Sequence, residues 1–152
     1  MGKKNRGITL LVIIILLISI GIFLIFNFNK GHNIYSNIVE SNWKIELPSE
    51  YKEIYSCDSG DSFLGDGERY HVFEYKDNSD IDNVLDWKSD KNIILESEVN
   101  RVLSSLNIDT VYSPDFQQEY KYYFKSEIAD SSKLYIILAQ DNSTIYIIEH
   151  FQ

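Results

Sequence analysis

The twelve residues from Cys57 to Glu68, CDSGDSFLGDGE, hold the densest run of chemistry-bearing side chains in this chain. Asp58, Asp61, Asp66 and Glu68 set four carboxylates among Gly60, Gly65 and Gly67. Hard cations such as calcium take several oxygen ligands from pliable segments of this kind. The spacing is not that of an EF-hand, and Gly65-Asp66-Gly67 is ordinary turn chemistry, so a solvated acidic turn or a partner-binding loop competes with the metal reading. Calcium is the one cofactor the sequence suggests.

Cys57 and His71 raise a second chemistry, because an imidazole beside a thiol can generate a nucleophilic thiolate. A thiol-dependent hydrolase or redox protein is the reading that pair supports. Against it, His71 falls on a strand-like run beside Phe73 and Tyr75, where a packed or hydrogen-bonded imidazole is expected. His32 and His150 suggest no cluster. No glycine-rich phosphate loop, metal-ligating His/Cys spacing or nucleophile elbow is present, so the common enzyme classes find no motif here.

Tyrosine is the third candidate chemistry. Tyr120, Tyr122, Tyr123, Tyr135 and Tyr146 load the C-terminal third so heavily that aromatics fall on both faces of its strands. By alternation Tyr120, Tyr122 and Phe124 share one face, and Tyr123 shares the other with Lys121 and Lys125. Aromatics beside lysines suit contact with proteins or glycans, which makes Tyr120, Tyr122 and Tyr123 the interaction candidates; amphipathic cover over a core is the alternative.

The elements that position these groups follow from periodicity. Trp43, Ile45 and Leu47 alternate with Lys44 and Glu46 and predict a strand stopped by Pro48; further strands are predicted over Tyr51 to Ser56 and Arg69 to Lys76. The period changes near Asp80, where Ile81, Val84 and Leu85 predict a short helix to about Lys88. A longer helix is predicted from Asp90 to Leu106, with Leu95, Val99, Val102, Leu103 and Leu106 as one apolar stripe. Strands over Glu119 to Glu127, Lys133 to Ala139 and Thr144 to Phe151 complete an antiparallel meander. The expected fold is α+β, in the order βββ-αα-βββ, with the two helices on one face of the sheet.

Ahead of this domain stands Ile8 to Phe26, ITLLVIIILLISIGIFLIF, nineteen uncharged residues that as a helix would span roughly 28 Å. Lys3, Lys4 and Arg6 precede it and only Lys30 closely follows, which predicts a cytoplasmic N-terminus, a single-pass signal anchor over Ile8 to Phe28 in contact with the lipid bilayer, and an extracytoplasmic C-terminal domain. No small-x-small cleavage site and no lipoprotein cysteine follow the run. The expected organisation is residues 1–30 as tip and anchor, 31–41 as linker and 42–152 as globular domain.

Charge is segregated. Beyond residue 30 lie all 23 acidic residues and ten basic ones, a formal charge of −13 there against −9 for the whole chain. Such a surface repels phosphate backbones, so no nucleic acid is expected as partner, and cations or basic proteins, including a basic envelope protein, are the natural counterparts. A single cysteine forms no intrachain disulfide, so stability rests on packing.

The stretch LPSEYKEIYSCDSGDSFLGDGERYHVFEY, Leu47 to Tyr75, together with Val99 to Leu106 and Lys121 to Tyr123, resembles a group of uncharacterised small membrane-anchored proteins of low-GC Gram-positive bacteria. That resemblance implies a bacterial source and supplies no catalytic residues. Leu47-Pro48 followed by Tyr51 is similar to a feature of immunity-type domains that neutralise toxins. The function expected is therefore a non-enzymatic binding or interaction domain, with an immunity or envelope-stress role as one form of it.

Overall fold

The computed structural model describes residues 13–21, 34–60, 66–76 and 79–152, and the chain divides into two compact units, Met1–Tyr35 and Ser36–Gln152. In the first, residues 13–21 are helical. Nine residues extend about 14 Å, roughly half a bilayer's hydrocarbon core. No helix among the described residues is long and apolar enough to cross a membrane. The expectation of a single-pass transmembrane helix, and the description of the chain as a membrane protein that rested on it, is corrected on that finding; the rest of Ile8 to Phe28 lies outside the described residues.

The second unit is built on one antiparallel sheet of five strands: β1 (Tyr51–Asp58), β2 (Gly67–Tyr75), β3 (Lys121–Ser126), β4 (Lys133–Leu138) and β5 (Thr144–Phe151), in spatial order β1-β2-β5-β4-β3. The two C-terminal hairpins form the expected meander, and β2 pairs with its last strand, Tyr70 opposite Ile148. Strand β4, KLYIIL, is buried along nearly its whole length, so both faces of the sheet need a cover.

That need overturns the expected arrangement of two helices on one face. Helix α1 (Ile34–Trp43) lies where a polar linker was expected, helix α2 (Ser79–Asp82) is a four-residue stub, and helix α3 (Ile93–Ser105) is the long amphipathic one. α3 covers one face with Leu95, Val99, Val102 and Leu103, all buried against Tyr70, Val72, Tyr122, Tyr135, Ile137 and Ile148. At about 1.5–3 kcal/mol per fully buried side chain, that stripe is the helix's main source of stability. The opposite face is closed by Val39 and Trp43 of α1, and Trp43 stacks at a tilt on Phe151 with ring centroids 5.9 Å apart.

The sheet has five strands where six were expected, because Trp43 to Leu47 makes no ladder. Its alternation is nevertheless real: Trp43, Ile45 and Leu47 are buried while Lys44 and Glu46 are exposed. Lys44 adopts a left-handed conformation, φ 56°, and its N–H bonds to the Glu40 carbonyl at 2.8 Å, which ends α1 and turns the chain into an extended segment. A period of two reports a row of side chains meeting an apolar surface; it does not require a hydrogen-bonded neighbour.

Candidate interaction groove

Beside α1, at Tyr123 of β3, the surface opens into a groove of about 800 Å³ walled by α1, by the extended segment from Lys44 to Ser49 and by the turn from Asn83 to Asp86. Half-buried Tyr123 lines it. Alternation puts Lys121 and Lys125 on the same face as Tyr123, yet neither serves as a free cation. Lys121 Nζ bonds to Asp82 Oδ1 at 2.8 Å, and Lys125 Nζ bonds to the Trp43 carbonyl at 2.6 Å and lies 3.6 Å from Glu127. Lys44 folds back onto the Ser41 carbonyl at 2.8 Å. Glu40, Glu46 and Asp86 also line the groove and are exposed, and none of them enters an ion pair among the described residues. With its neighbouring ammonium groups engaged, the groove presents an aromatic ring among carboxylates.

The other two tyrosine candidates hold α3 in place, and half-buried Tyr120 also lines a second groove beside Phe116. Tyr122 is buried, and its hydroxyl accepts a bond from Asn92 Nδ2 at 3.2 Å. Tyr120 donates to Glu96 Oε1 at 2.7 Å and accepts from the Asn92 N–H at 3.2 Å. Both therefore brace the N-terminus of α3, where the Asn92 side chain caps the Leu95 N–H at 3.1 Å. Burial and the Glu96 carboxylate push the Tyr120 hydroxyl up to about 12.

Cys57 and His71 do not meet. Ser56 is the residue opposite His71 across the β1–β2 ladder and Cys57 is opposite Tyr70, so the thiol and the imidazole point to opposite faces of the sheet. His71 instead pairs through Nδ1 with Glu53 Oε1 at 2.5 Å; burial pulls its pKa below the usual histidine range and the Glu53 contact only partly restores it. The thiol of Cys57 lies 4.0 Å from the Leu106 carbonyl, a packed position beside the end of α3.

The acidic loop is likewise divided. Asp58 stands opposite Arg69, whereas Glu68 stands opposite His150, so these two carboxylates belong to different faces. Glu68 turns toward α3, where it accepts from Ser105 Oγ and pairs with Arg101 Nη1 at 3.3 Å, with His150 Nδ1 3.5 Å away. Asp58 Oδ1 accepts from the Gly60 N–H at 2.8 Å, and Asp61 lies outside the described residues. Among the described residues no group of three or more His, Cys, Asp or Glu side chains could hold a metal ion.

One functional group escaped the sequence reading. Glu149, on β5, is fully buried under α1 and accepts a bond from Trp43 Nε1 at 2.5 Å. Burial pushes its carboxyl up to about 8. The signal for it is local: Ile147 and Phe151 flank it at the i±2 positions of a strand, which puts a carboxylate in an apolar row.

No family model matches this chain, and no curated protein or solved structure matches it either. The groove is therefore interpreted from its own chemistry.

Proposed function

We propose that this protein is a non-enzymatic interaction domain whose groove beside β3 takes a lysine- or arginine-rich segment of a partner protein. The observation that carries this reading is Tyr123 in an open groove with Glu40, Glu46 and Asp86 around it, while the lysines that could neutralise them are engaged elsewhere. An ammonium or guanidinium group gains from both features, the ring face and the carboxylates. The excess of acidic residues beyond residue 30 steers such a partner toward the surface and repels nucleic acid. An immunity role, in which the basic segment belongs to a toxin, is one form of this reading. The thiol-enzyme alternative is weakened because Cys57 and His71 face away from one another across the sheet.

Calorimetric titration of the full chain with a lysine-rich peptide tests the proposal. Binding should weaken steeply with added salt, and the triple variant Glu40→Gln/Glu46→Gln/Asp86→Asn should weaken it by roughly tenfold or more. Equal binding by the triple variant, or equal binding of an acidic peptide, would remove the groove as the site.

A further inference from the structure

We propose that the second groove, lined by Phe116 and Tyr120 at the end of the sheet where β3 begins and β4 turns into β5, is a binding site for a neutral oligosaccharide. Its volume of about 580 Å³ falls within the roughly 300–1,000 Å³ of small-ligand clefts, and it shares no lining residue with the groove beside α1.

The aromatic part of the lining is held by the core. Half-buried Phe116 packs against the cluster under α3 and meets Tyr120 edge to face, with ring centroids 5.1 Å apart, and Tyr120 in turn leans on buried Tyr122 at 6.2 Å. The Tyr120 hydroxyl is already bonded twice, donating to Glu96 Oε1 and accepting from the Asn92 N–H. The ring is thereby fixed, and what it leaves for a ligand is carbon. The electron-rich face of such a ring attracts the weakly positive C–H groups that cover one side of a pyranose.

Four carboxamides join these rings in the lining. Gln117 and Gln118 come from the segment before β3, and Gln140 and Asn142 from the β4–β5 turn. Their main chain is anchored: the Gln117 N–H bonds to Asp115 Oδ1 at 2.9 Å, the Gln118 N–H to the Asp115 carbonyl at 3.2 Å and the Asn142 N–H to the Ala139 carbonyl at 2.9 Å. Their side-chain amides make no hydrogen bond among the described residues. Each offers an acceptor oxygen beside two N–H donors, and a pair of neighbouring sugar hydroxyls, each both donor and acceptor, matches that set twice. Aromatic carbon and unused amides correspond to the two characters of a sugar, apolar across the ring and polar around its edge.

Charge separates this site from the groove beside α1. The chain beyond residue 30 carries 10 basic and 23 acidic residues, a formal −13, yet in this lining the signs balance: Lys91 is matched by Glu119, and Lys121 Nζ is bonded to Asp82 Oδ1 at 2.8 Å. A balanced lining concentrates neither a polycation nor a polyanion, so the ligand it suits is uncharged. A neutral peptide would use the same amides through its main chain, but the bare ring carbon favours the flat C–H face of a pyranose.

The test mixes the full chain with cellotriose, maltotriose and triacetylchitotriose, and reads binding by saturation-transfer NMR and calorimetric titration. The expected result is transfer to the ring C–H protons of at least one trisaccharide, with a Kd in the millimolar range that changes by less than about twofold with added salt. The variant Gln117→Ala/Gln140→Ala/Asn142→Gly removes three of the amides, glycine suiting the left-handed backbone of Asn142 at φ 53°, and should weaken that trisaccharide roughly tenfold or more. Phe116→Leu keeps an apolar side chain against the core, removes the ring and should abolish the transfer to C–H protons. Thermal melts establish that each variant is folded, and the amide variant, altered only at turn and loop positions, decides the matter should Phe116→Leu unfold. Binding of none of the three trisaccharides, equal affinity in the amide variant, a steep loss of affinity with salt, or tighter binding of a neutral peptide of serine, glycine and asparagine overturns the proposal.

Discussion

On the face covered by α3, apolar side chains of four strands interlock with one helical stripe, and the polar groups at its margin are closed by bonds between helix and sheet: Glu98 with Lys133 and Tyr135, Glu68 with Arg101 and Ser105, Asn92 with Tyr122. On the face covered by α1, the cover is a ten-residue helix with a short extended tail, and a carboxyl group stands inside the buried layer. The first face is built to stay shut. The second holds a titratable group inside its buried layer and borders the groove, so the two sides of one sheet differ in how they are filled.

The largest effect that would break this comparison belongs to the α3 face. Ile137→Ala removes a fully buried side chain from the strand pair beneath α3 and should lower unfolding free energy by about 3–4 kcal/mol in urea titration. A loss under about 1 kcal/mol would mean that this face is loosely packed.

Next comes Glu149→Gln, with the opposite sign on the α1 face. The folded carboxyl stands at about 8 while an unfolded glutamate titrates near the ordinary carboxylate value, so the folded state holds a proton that the unfolded state has released. Stability is then fully present below about pH 4.5 and is lost as pH rises through about 8. Glu149→Gln should raise stability by about 3–4 kcal/mol at pH 8 and leave it unchanged near pH 4. Thermal melts of the two proteins across that range check it, and parallel curves would place Glu149 in contact with solvent.

The smallest effect sharpens how the margin of the α3 face is held. Asn92→Ala removes the cap of the Leu95 N–H and the bond to the Tyr122 hydroxyl, and should cost about 1–2 kcal/mol in the same melts. An unchanged midpoint would show that packing alone seats α3.

The elements most legible in the sequence are those whose pattern is local. The stripe Leu95, Val99, Val102 and Leu103 identifies α3, and β-branched and aromatic alternation identifies β2 and the C-terminal meander, because each pattern repeats with the period of its own backbone. Trp43 to Leu47 shows where that reasoning stops: alternation identifies a buried row but not what lies against it, which for Trp43 is Glu149 and Phe151 of β5. Helix α1 escaped for a related reason. Ser36, Val39 and Trp43 face inward at spacings of three and four, too few positions to stand out in a polar stretch.

The candidate sites divide along the same line. Composition alone determined that the domain is acidic, lacks an internal disulfide and carries more tyrosine than a small core needs, since charge and side-chain type are properties of the chain. Tertiary structure decided the rest. Which of three neighbouring tyrosines lines which groove depends on strand alternation together with the elements packed on each face, so Tyr120 and Tyr122 went to bracing α3, Tyr120 also to the second groove, and Tyr123 to the groove beside α1. Ladder register separated Cys57 from His71 and Asp58 from Glu68, because neighbours in sequence on a pleated strand are directed to opposite sides. Glu149 acquired its raised pKa only when α1 folded over β5, for the energy of a charge is set by the medium around it and that medium exists only in the folded molecule.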